Sequence, residues 1–234
     1  MDTSIFNTEK LLEAWEIIKS QFLLSTWETV YVTFLATFFA AVIGLPLGVI
    51  LVTGEEKGIH PLPKNLMRIL NLVINILRSI PFLILMILVF PLTRLICGTV
   101  VGTFPTVVPL VIAAFPFVAR LVETSIREVN PNTVEMAQSL GASPMQIVMK
   151  VLIPESVPSL VSNLTIAATT VLGYTAMSGI IGGGGLGKIA INYGYYRYKT
   201  LVMILAVILL VILVQALQSL GTRLAISTNR KLKH

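Results

Sequence analysis

Few residues in this sequence have the type and spacing that chemistry on a bound molecule requires. The glycine-rich run at 182–187 could suggest a phosphate-binding loop, but such a loop needs a Lys-Ser or Lys-Thr pair at a helix start. The sequence continues with Lys188-Ile189 instead. His60 and His234 have no Ser or Cys partner placed for nucleophilic catalysis. We therefore expect no catalytic residue, metal site or cofactor in this chain, and we interpret the glycines as a turn that allows close helix contact or the movement of a gate.

Arg120 and Glu123 are charged residues inside a largely apolar stretch. Their spacing lets the two side chains meet on one face of a helix. In a proton-coupled carrier such a pair would be a candidate relay. The pair also lies close to the predicted end of a membrane span, where charges cluster, and this position favours an interfacial ion pair over a relay.

The composition indicates a membrane protein. Hydrophobic residues make up 55% of the chain and charged residues 12%, against roughly a quarter charged residues in ordinary soluble domains. The mean hydropathy is +0.88. The apolar residues come in continuous blocks long enough to cross a bilayer as helices, which need about 20 residues each. Because backbone polar groups in hydrocarbon must be satisfied within the protein, these blocks predict an all-α, polytopic helix bundle.

Five transmembrane helices are predicted, at about residues 29–52, 69–90, 106–126, 157–181 and 201–220. A charge is costly at mid-membrane, so we place Arg78 near the cytoplasmic boundary and expect the second span to start close to Ser79. Residues 1–28 show apolar residues at helical spacing with charges between them, which predicts an amphipathic helix lying at the interface. Residues 29–222 then form the membrane domain, and residues 223–234 form a basic cytoplasmic tail.

The distribution of positive charge predicts the orientation. Five spans put the termini on opposite sides. With the N-terminus outside, eleven Lys and Arg residues fall on the cytoplasmic side and six on the other. Cytoplasmic loops carry such an excess, so the loop at 127–156 and the C-terminus are predicted to be cytoplasmic. The net charge of +6 therefore indicates topology and contact with membrane lipid headgroups, not nucleic-acid binding.

The loop at 127–156 begins with a predicted short helix. Asn130 is a favourable N-cap residue, and Pro131 follows at the first helical position. Gly141 is suited to the C′ position, where a left-handed residue ends a helix. The pattern predicts a helix that stops in a sharp bend at Gly141.

A second short helix is predicted directly after this bend. Ser143 is its N-cap residue, Pro144 is its first residue, and Gln146 lies three residues after the cap, which is the pattern of a capping box. Pro154 is predicted to end this helix. The loop is therefore expected to be stiff.

Each loop helix carries an apolar strip, made of Val134, Ala137 and Leu140 on the first and of Met145, Val148, Met149 and Leu152 on the second. A rigid, partly apolar loop on the cytoplasmic side could fit a groove of a partner protein. The same strips could instead pack against the chain's own helices, as apolar stripes commonly do. Periodicity alone leaves both interpretations open.

The loop resembles the signature loop of permease subunits of ABC importers, which has Glu-Ala-Ala, three residues, Gly, nine residues and Ile-x-Leu-Pro. The residues here that fill or adjoin this pattern are Glu135, Met136, Ala137, Gly141, Ala142, Val151, Ile153 and Pro154. Met136, Val151 and Ile153 depart from the pattern conservatively. The resemblance implies that this loop is a coupling helix, which seats in a cleft of a separate ATP-binding subunit.

Two further segments resemble the methionine importer permeases in particular. They are Arg78-Ser79-Ile80-Pro81-Phe82 and the stretch from Gly173 to Gly187. This resemblance implies a homodimer of the chain, two copies of an ATPase that binds ATP and magnesium, and an extracytoplasmic binding protein for methionine. It also makes Tyr174, Met177 and Ser178 candidates for a gate in the translocation pathway, although filling a gap in the core is the favoured interpretation for Met177.

A secondary amino-acid carrier driven by an ion gradient is the alternative from another class. It would be expected to show paired repeats and broken helices with buried charges at mid-depth. The sequence shows neither clearly. We expect a transport subunit that is not itself an enzyme.

Overall fold

The structure is a computed structural model that describes Leu12 and residues 15–229. The described residues form helices and connecting turns, with no strand among them. In chain order the helices are α1 (Trp15–Thr53), α2 (Lys64–Ser79), α3 (Phe82–Leu88), α4 (Phe90–Cys97), α5 (Phe104–Arg127), α6 (Pro131–Ser139), α7 (Pro144–Ile181), α8 (Gly185–Ile189) and α9 (Thr200–Thr228). The predicted all-α class is confirmed.

Helices α1, α5, α7 and α9 are each long and apolar enough to cross a membrane. Helices α2 and α3 count as a fifth span only if taken together, because the chain bends by 109° between them. The break follows from Pro81, which lacks a backbone N–H and disfavours helical geometry in the residue before it. Ile80 is accordingly extended, with φ −80° and ψ 125°. The polytopic bundle is confirmed, and the apolar stretch at 69–90, in which a span starting close to Ser79 was predicted, is broken at Ile80 and Pro81.

Arg78 lies near the end of a helix and not at the start of one, and its predicted place near the cytoplasmic boundary stays a prediction. Helix α2 begins at Lys64 and carries Arg78 in its last turn. The helix is amphipathic, with its charged and amide residues gathered on one face. The hydropathy averaged along the sequence does not show this arrangement, because polar and apolar residues alternate at helical spacing.

The N-terminal prediction is only partly covered by the structure. Helix α1 runs without a break from Trp15 to Thr53, so its described part continues through residue 28 into the first span. Residues 1–11, 13 and 14 lie outside the described residues, as do residues 230–234 of the tail. The interfacial helix at 1–28 and the basic tail at 223–234 stay predictions.

The second loop helix does not end at Pro154, contrary to the prediction. It continues through a π-helical turn at Val148–Leu152 into the span, forming the 38-residue helix α7. In this turn the Ile153 N–H donates to the Val148 carbonyl, five residues back. The wider turn shifts the hydrogen-bond register just before Pro154, which has no N–H to contribute, and so the helix passes through the proline.

The chain divides into two compact units. The first comprises the described residues up to Ala36 with Phe82–Val111 and Ala168–Leu217, and the second comprises Thr37–Pro81, Ile112–Ala167 and the described residues from Gln218. The core of the first unit contains Phe22, Leu186, Ile189, Val202 and Ala206. The core of the second contains Leu51, Met67, Ile74 and Ala119.

Close packing of α1 on α5 in the second unit depends on two glycines. A Cβ added at Gly44 would lie 2.7 Å from Val118 Cγ1, and one added at Gly48 would lie 2.5 Å from Val122 Cβ. Small residues four apart let membrane helices approach to backbone distance. This packing fixes α5, whose end at Arg127 leads into the candidate loop.

Candidate functional site

The first loop helix, α6, is capped as predicted. The Asn130 side-chain oxygen accepts a hydrogen bond from the Asn132 N–H at 2.9 Å, and Pro131 occupies the first turn. One of the N–H groups that a helix start leaves unpaired is thereby satisfied. The entry of the chain into the loop is fixed by its local sequence.

The bend after α6 is a complete Schellman motif. Gly141 has φ +78°, its N–H donates to the Gln138 carbonyl at 2.9 Å, and the Ala142 N–H donates to the Ala137 carbonyl at 3.1 Å. Both bonds satisfy carbonyl groups that would otherwise be left free at the helix end. The predicted bend at Gly141 is confirmed.

The start of α7 carries the predicted capping box. The Ser143 N–H donates to Gln146 Oε1 at 2.8 Å, and the Gln146 N–H donates to Ser143 Oγ at 3.4 Å. Pro144 occupies the first turn. With caps on both sides, the bend between α6 and α7 has few free backbone groups, which makes the loop stiff.

The loop leaves four large apolar side chains uncovered, those of Met136, Leu140, Met145 and Met149. We refer to these four together as the docking face, after the role that is proposed for them below. Leu140 is 83% exposed and Met145 is 70% exposed. Ile147 and Leu152, by contrast, are buried. One side of the loop therefore packs within its own unit, whereas the docking face stays uncovered, and its contact with a partner stays a prediction.

The remaining residues of the signature pattern surround the docking face. Glu135, Gly141 and Pro154 are exposed. Those that are half-buried are Ala137, Ala142, Val151 and Ile153. Some residues of the signature pattern are therefore part of the exposed surface of the loop, and the others are half-buried and pack against the rest of it.

An open cleft of about 410 Å³ lies beside α6, and its lining includes Glu55, Arg127, Val134, Glu135 and Gln138. Arg127 connects two parts of the wall of this cleft through hydrogen bonds to carboxylates. Its guanidinium donates to Glu55 Oε1 at 2.5 Å and to Glu123 Oε1 at 2.8 Å. The end of α5 is therefore tied by charge-assisted bonds to the turn that follows α1.

The charged pair predicted from the sequence is present, and it belongs to a larger group of hydrogen-bonded side chains. Arg120 Nη1 lies 2.7 Å from Glu123 Oε2, which confirms the pair. Arg120 Nη2 also donates to the side-chain oxygens of Asn71 at 2.8 Å and Asn75 at 3.0 Å. Neither asparagine was predicted, although two amides four residues apart in an apolar stretch are a sequence signal for such a polar contact.

The candidate gate residues lie in different environments within the first unit. Tyr174 stacks on Phe82 with ring centroids 4.5 Å apart and planes 4° apart. Met177 is 43% exposed. Ser178 is buried, and its hydroxyl donates to the Thr175 carbonyl at 2.7 Å. Of the three side chains, that of Met177 is the most exposed, whereas the Ser178 hydroxyl is hydrogen-bonded within its own helix.

The glycine-rich segment is anchored by a carboxylate that sequence reasoning missed. Glu28 accepts hydrogen bonds from the Gly185 N–H at 2.7 Å and from Thr103 Oγ1 at 2.9 Å. A Cβ added at Gly187 would lie 2.5 Å from the Ala176 Cα, which confirms the interpretation of a turn that permits close approach. An acidic residue in α1 was the available signal for this anchor.

Comparison with known proteins gives consistent matches over most of the chain. The family described as "Binding-protein-dependent transport system inner membrane component" matches residues 44–223. The "Probable D-methionine transport system permease protein MetI" of Vibrio cholerae is 47% identical over 221 residues, covering 94% of this chain and 96% of that protein. The D-methionine transport system permease protein MetI of Escherichia coli K12 is 46% identical over 153 residues, covering 65% of this chain and 70% of that protein.

A solved structure agrees with this result. The MetNI methionine ABC transporter in an inward-facing conformation has a chain that matches with a TM-score of 0.88 at 43% identity, over 92% of this chain and 99% of that one. The predicted resemblance to importer permeases is thereby confirmed. The chain is a multi-pass membrane protein and a transport component, and it belongs to the family of binding-protein-dependent transport system inner membrane components.

Proposed function

We propose that this chain is the membrane-spanning subunit of an ATP-driven importer of methionine or a closely related amino acid. Two copies would form the pathway, two ATP-binding subunits would drive it, and an extracytoplasmic binding protein would deliver the substrate. The similar permeases are named for D-methionine transport, and the similar structure is a methionine ABC transporter. The observation that carries the proposal is the uncovered docking face on a capped, stiff loop.

The loop would act as the mechanical link to the ATPase. The docking face would fill an apolar groove of the ATP-binding subunit, with Glu135 at its polar edge. The Schellman turn at Gly141 and the capping box at Ser143 keep α6 and the start of α7 in one arrangement. Because α7 continues without a stop into the membrane, a push on the loop reaches the span directly.

The other parts follow from this assignment. ATP and magnesium would bind in the partner subunit, since this chain carries no phosphate loop. Met177, with Tyr174 beside it, would narrow the pathway, and Ser178 would fix the helix turn that presents Met177. The loop at 127–156 and the C-terminus would lie in the cytoplasm and the N-terminus outside.

Reconstitution tests the proposal. The purified chain would be placed in liposomes with an ATP-binding subunit and a binding protein from the same organism, and uptake of several amino acids would be measured with and without ATP. We expect methionine uptake that requires ATP and both partners. Uptake by the chain alone, driven by an ion gradient without ATP, would instead identify a secondary carrier.

A further inference from the structure

Helix α2 has a continuous polar strip along one side. Its members are Lys64, Arg68, Asn71, Asn75, Arg78 and Ser79. At 100° per residue these six positions fall within about 100° of the helix circumference. Leu66, Ile69 and Val73 lie away from this strip and are exposed apolar residues suited to lipid.

The contacts of α2 show that it runs alongside α5 in the second unit. Lys64 forms an ion pair with Glu56, and Arg127 pairs with the adjacent Glu55, so the start of α2 and the end of α5 are level. Seven residues into α2, Asn71 accepts a hydrogen bond from Arg120, which lies seven residues before Arg127. Seven residues correspond to about 10 Å along either helix. Because going forward along α2 matches going backward along α5, the two helices are antiparallel.

If the hydrocarbon core begins near the level of Lys64 and Arg127, this register puts Arg78 deep inside it. Arg78 lies fourteen residues after Lys64, a rise of about 21 Å along a helix, and the hydrocarbon core is about 30 Å thick. Its side chain is exposed and makes no hydrogen bond or ion pair with any residue that the structure describes. Arg68, on the same strip, is exposed as well.

A cation at this depth cannot be left facing lipid, because an arginine near the centre of the bilayer costs several kcal/mol unless it meets water or a partner. We infer that the polar strip lines the aqueous pathway and that the Arg78 guanidinium binds the α-carboxylate of the transported amino acid. A guanidinium holds a carboxylate through two parallel N–H···O bonds, which fixes its orientation. This inference rests on the proposed function and names the substrate group that the membrane subunit contacts.

Cysteine accessibility tests the position of the strip. Cys97 is the chain's single cysteine, so Cys97→Ser gives a background without thiols. In this background Ser79→Cys, whose hydroxyl contacts only the Asn75 carbonyl of its own helix, is compared with Val73→Cys on the apolar side. We expect a charged methanethiosulfonate to label the first variant and not the second in the assembled complex. Equal labelling of both, or labelling of Val73→Cys alone, would show that the strip does not face water.

The role of Arg78 is tested by the charge and chemistry of the reagents. The anionic ethylsulfonate reagent should label Ser79→Cys faster than the cationic trimethylammonium reagent, and Arg78→Gln should remove this preference. Millimolar methionine should slow the labelling, whereas methioninol, which has a hydroxymethyl group in place of the carboxylate, should not. Slowing by both compounds, by neither, or by methionine in the Arg78→Gln background would overturn carboxylate binding.

Uptake by the complete complex provides the functional readout. We expect Arg78→Gln to lower ATP-driven methionine uptake about tenfold or more, the loss of a charge-assisted pair, and Arg78→Lys to retain more activity than Arg78→Gln. Co-purification with the ATP-binding subunit should be unchanged in both variants. Wild-type uptake in Arg78→Gln would refute the inference, whereas absence of ATP-driven uptake in the unmodified chain would count against the proposed function instead.

Discussion

Replacing Gly141 by valine tests whether the loop between α6 and α7 works because it is stiff. Gly141 has φ +78°, a conformation that costs an L-residue about 1–2 kcal/mol and up to about 3 kcal/mol when strongly disfavoured. Apart from its neighbours along the chain, no heavy atom that the structure describes lies within 4 Å of the position that a Cβ would take, so the cost within this chain is backbone strain. At about 2 kcal/mol the balance between the intact and the opened turn shifts roughly thirtyfold.

The assay is the amount of methionine taken up per ATP hydrolysed by the reconstituted complex. We expect Gly141→Val to lower this ratio several-fold while the amount of membrane-inserted chain stays the same, because an opened turn yields when the ATPase pushes on it. Gly141→Asn is the matched control and should stay near wild type, since asparagine tolerates the left-handed conformation. Normal coupling in Gly141→Val, or equal loss in both variants, would refute the reasoning.

Three further changes have definite expected outcomes. Glu135→Lys reverses the charge of an exposed residue beside the docking face and should reduce co-purification with the ATP-binding subunit; undiminished recovery of the complex would count against its placement. Ser143→Ala removes the side-chain acceptor of the capping box and should cost about 1 kcal/mol, seen as faster amide hydrogen exchange in the loop, and unchanged exchange would contradict a stabilising cap. Gly48→Leu places a side chain where Val122 already lies and should lower the melting temperature of the purified chain by the overpacking cost of about 1–3 kcal/mol or more. The methyl group of Gly173→Ala meets no atom within 4 Å, so this variant should keep the melting temperature of the unmodified chain. Equal melting temperatures for Gly48→Leu and Gly173→Ala would argue against this packing.

The loop was predictable in detail because its signals are local. The caps at Asn130 and Ser143 and the bend at Gly141 involve residues no more than five apart in sequence. Such short-range bonds depend little on the rest of the fold. The sequence could not show which apolar side chains stay uncovered, because the burial of Ile147 and the exposure of Met145 depend on distant helices.

The points at which the predictions fell short have separate causes. The end predicted at Pro154 assumed regular α-helical hydrogen bonding, and the π turn at Val148–Leu152 removes that assumption. Arg78 was predicted at a helix start to avoid a charge at mid-membrane, whereas it lies in the last turn of α2, a helix whose polar side can face water or protein. For Arg120 the sequence indicated only the nearby partner Glu123, because Asn71 lies 49 residues earlier in the chain.

Site-specific photocrosslinking from the docking face is the most direct test of the central claim, that the loop contacts an ATP-binding subunit. A photoreactive amino acid at Leu140, the most exposed member of the docking face, would be compared with one at Ile212, an exposed apolar residue of span α9. We expect a crosslink from position 140 to the ATP-binding subunit that the Ile212 variant does not give. Absence of this crosslink in a complex that transports methionine, or an equally strong crosslink from position 212, would contradict it.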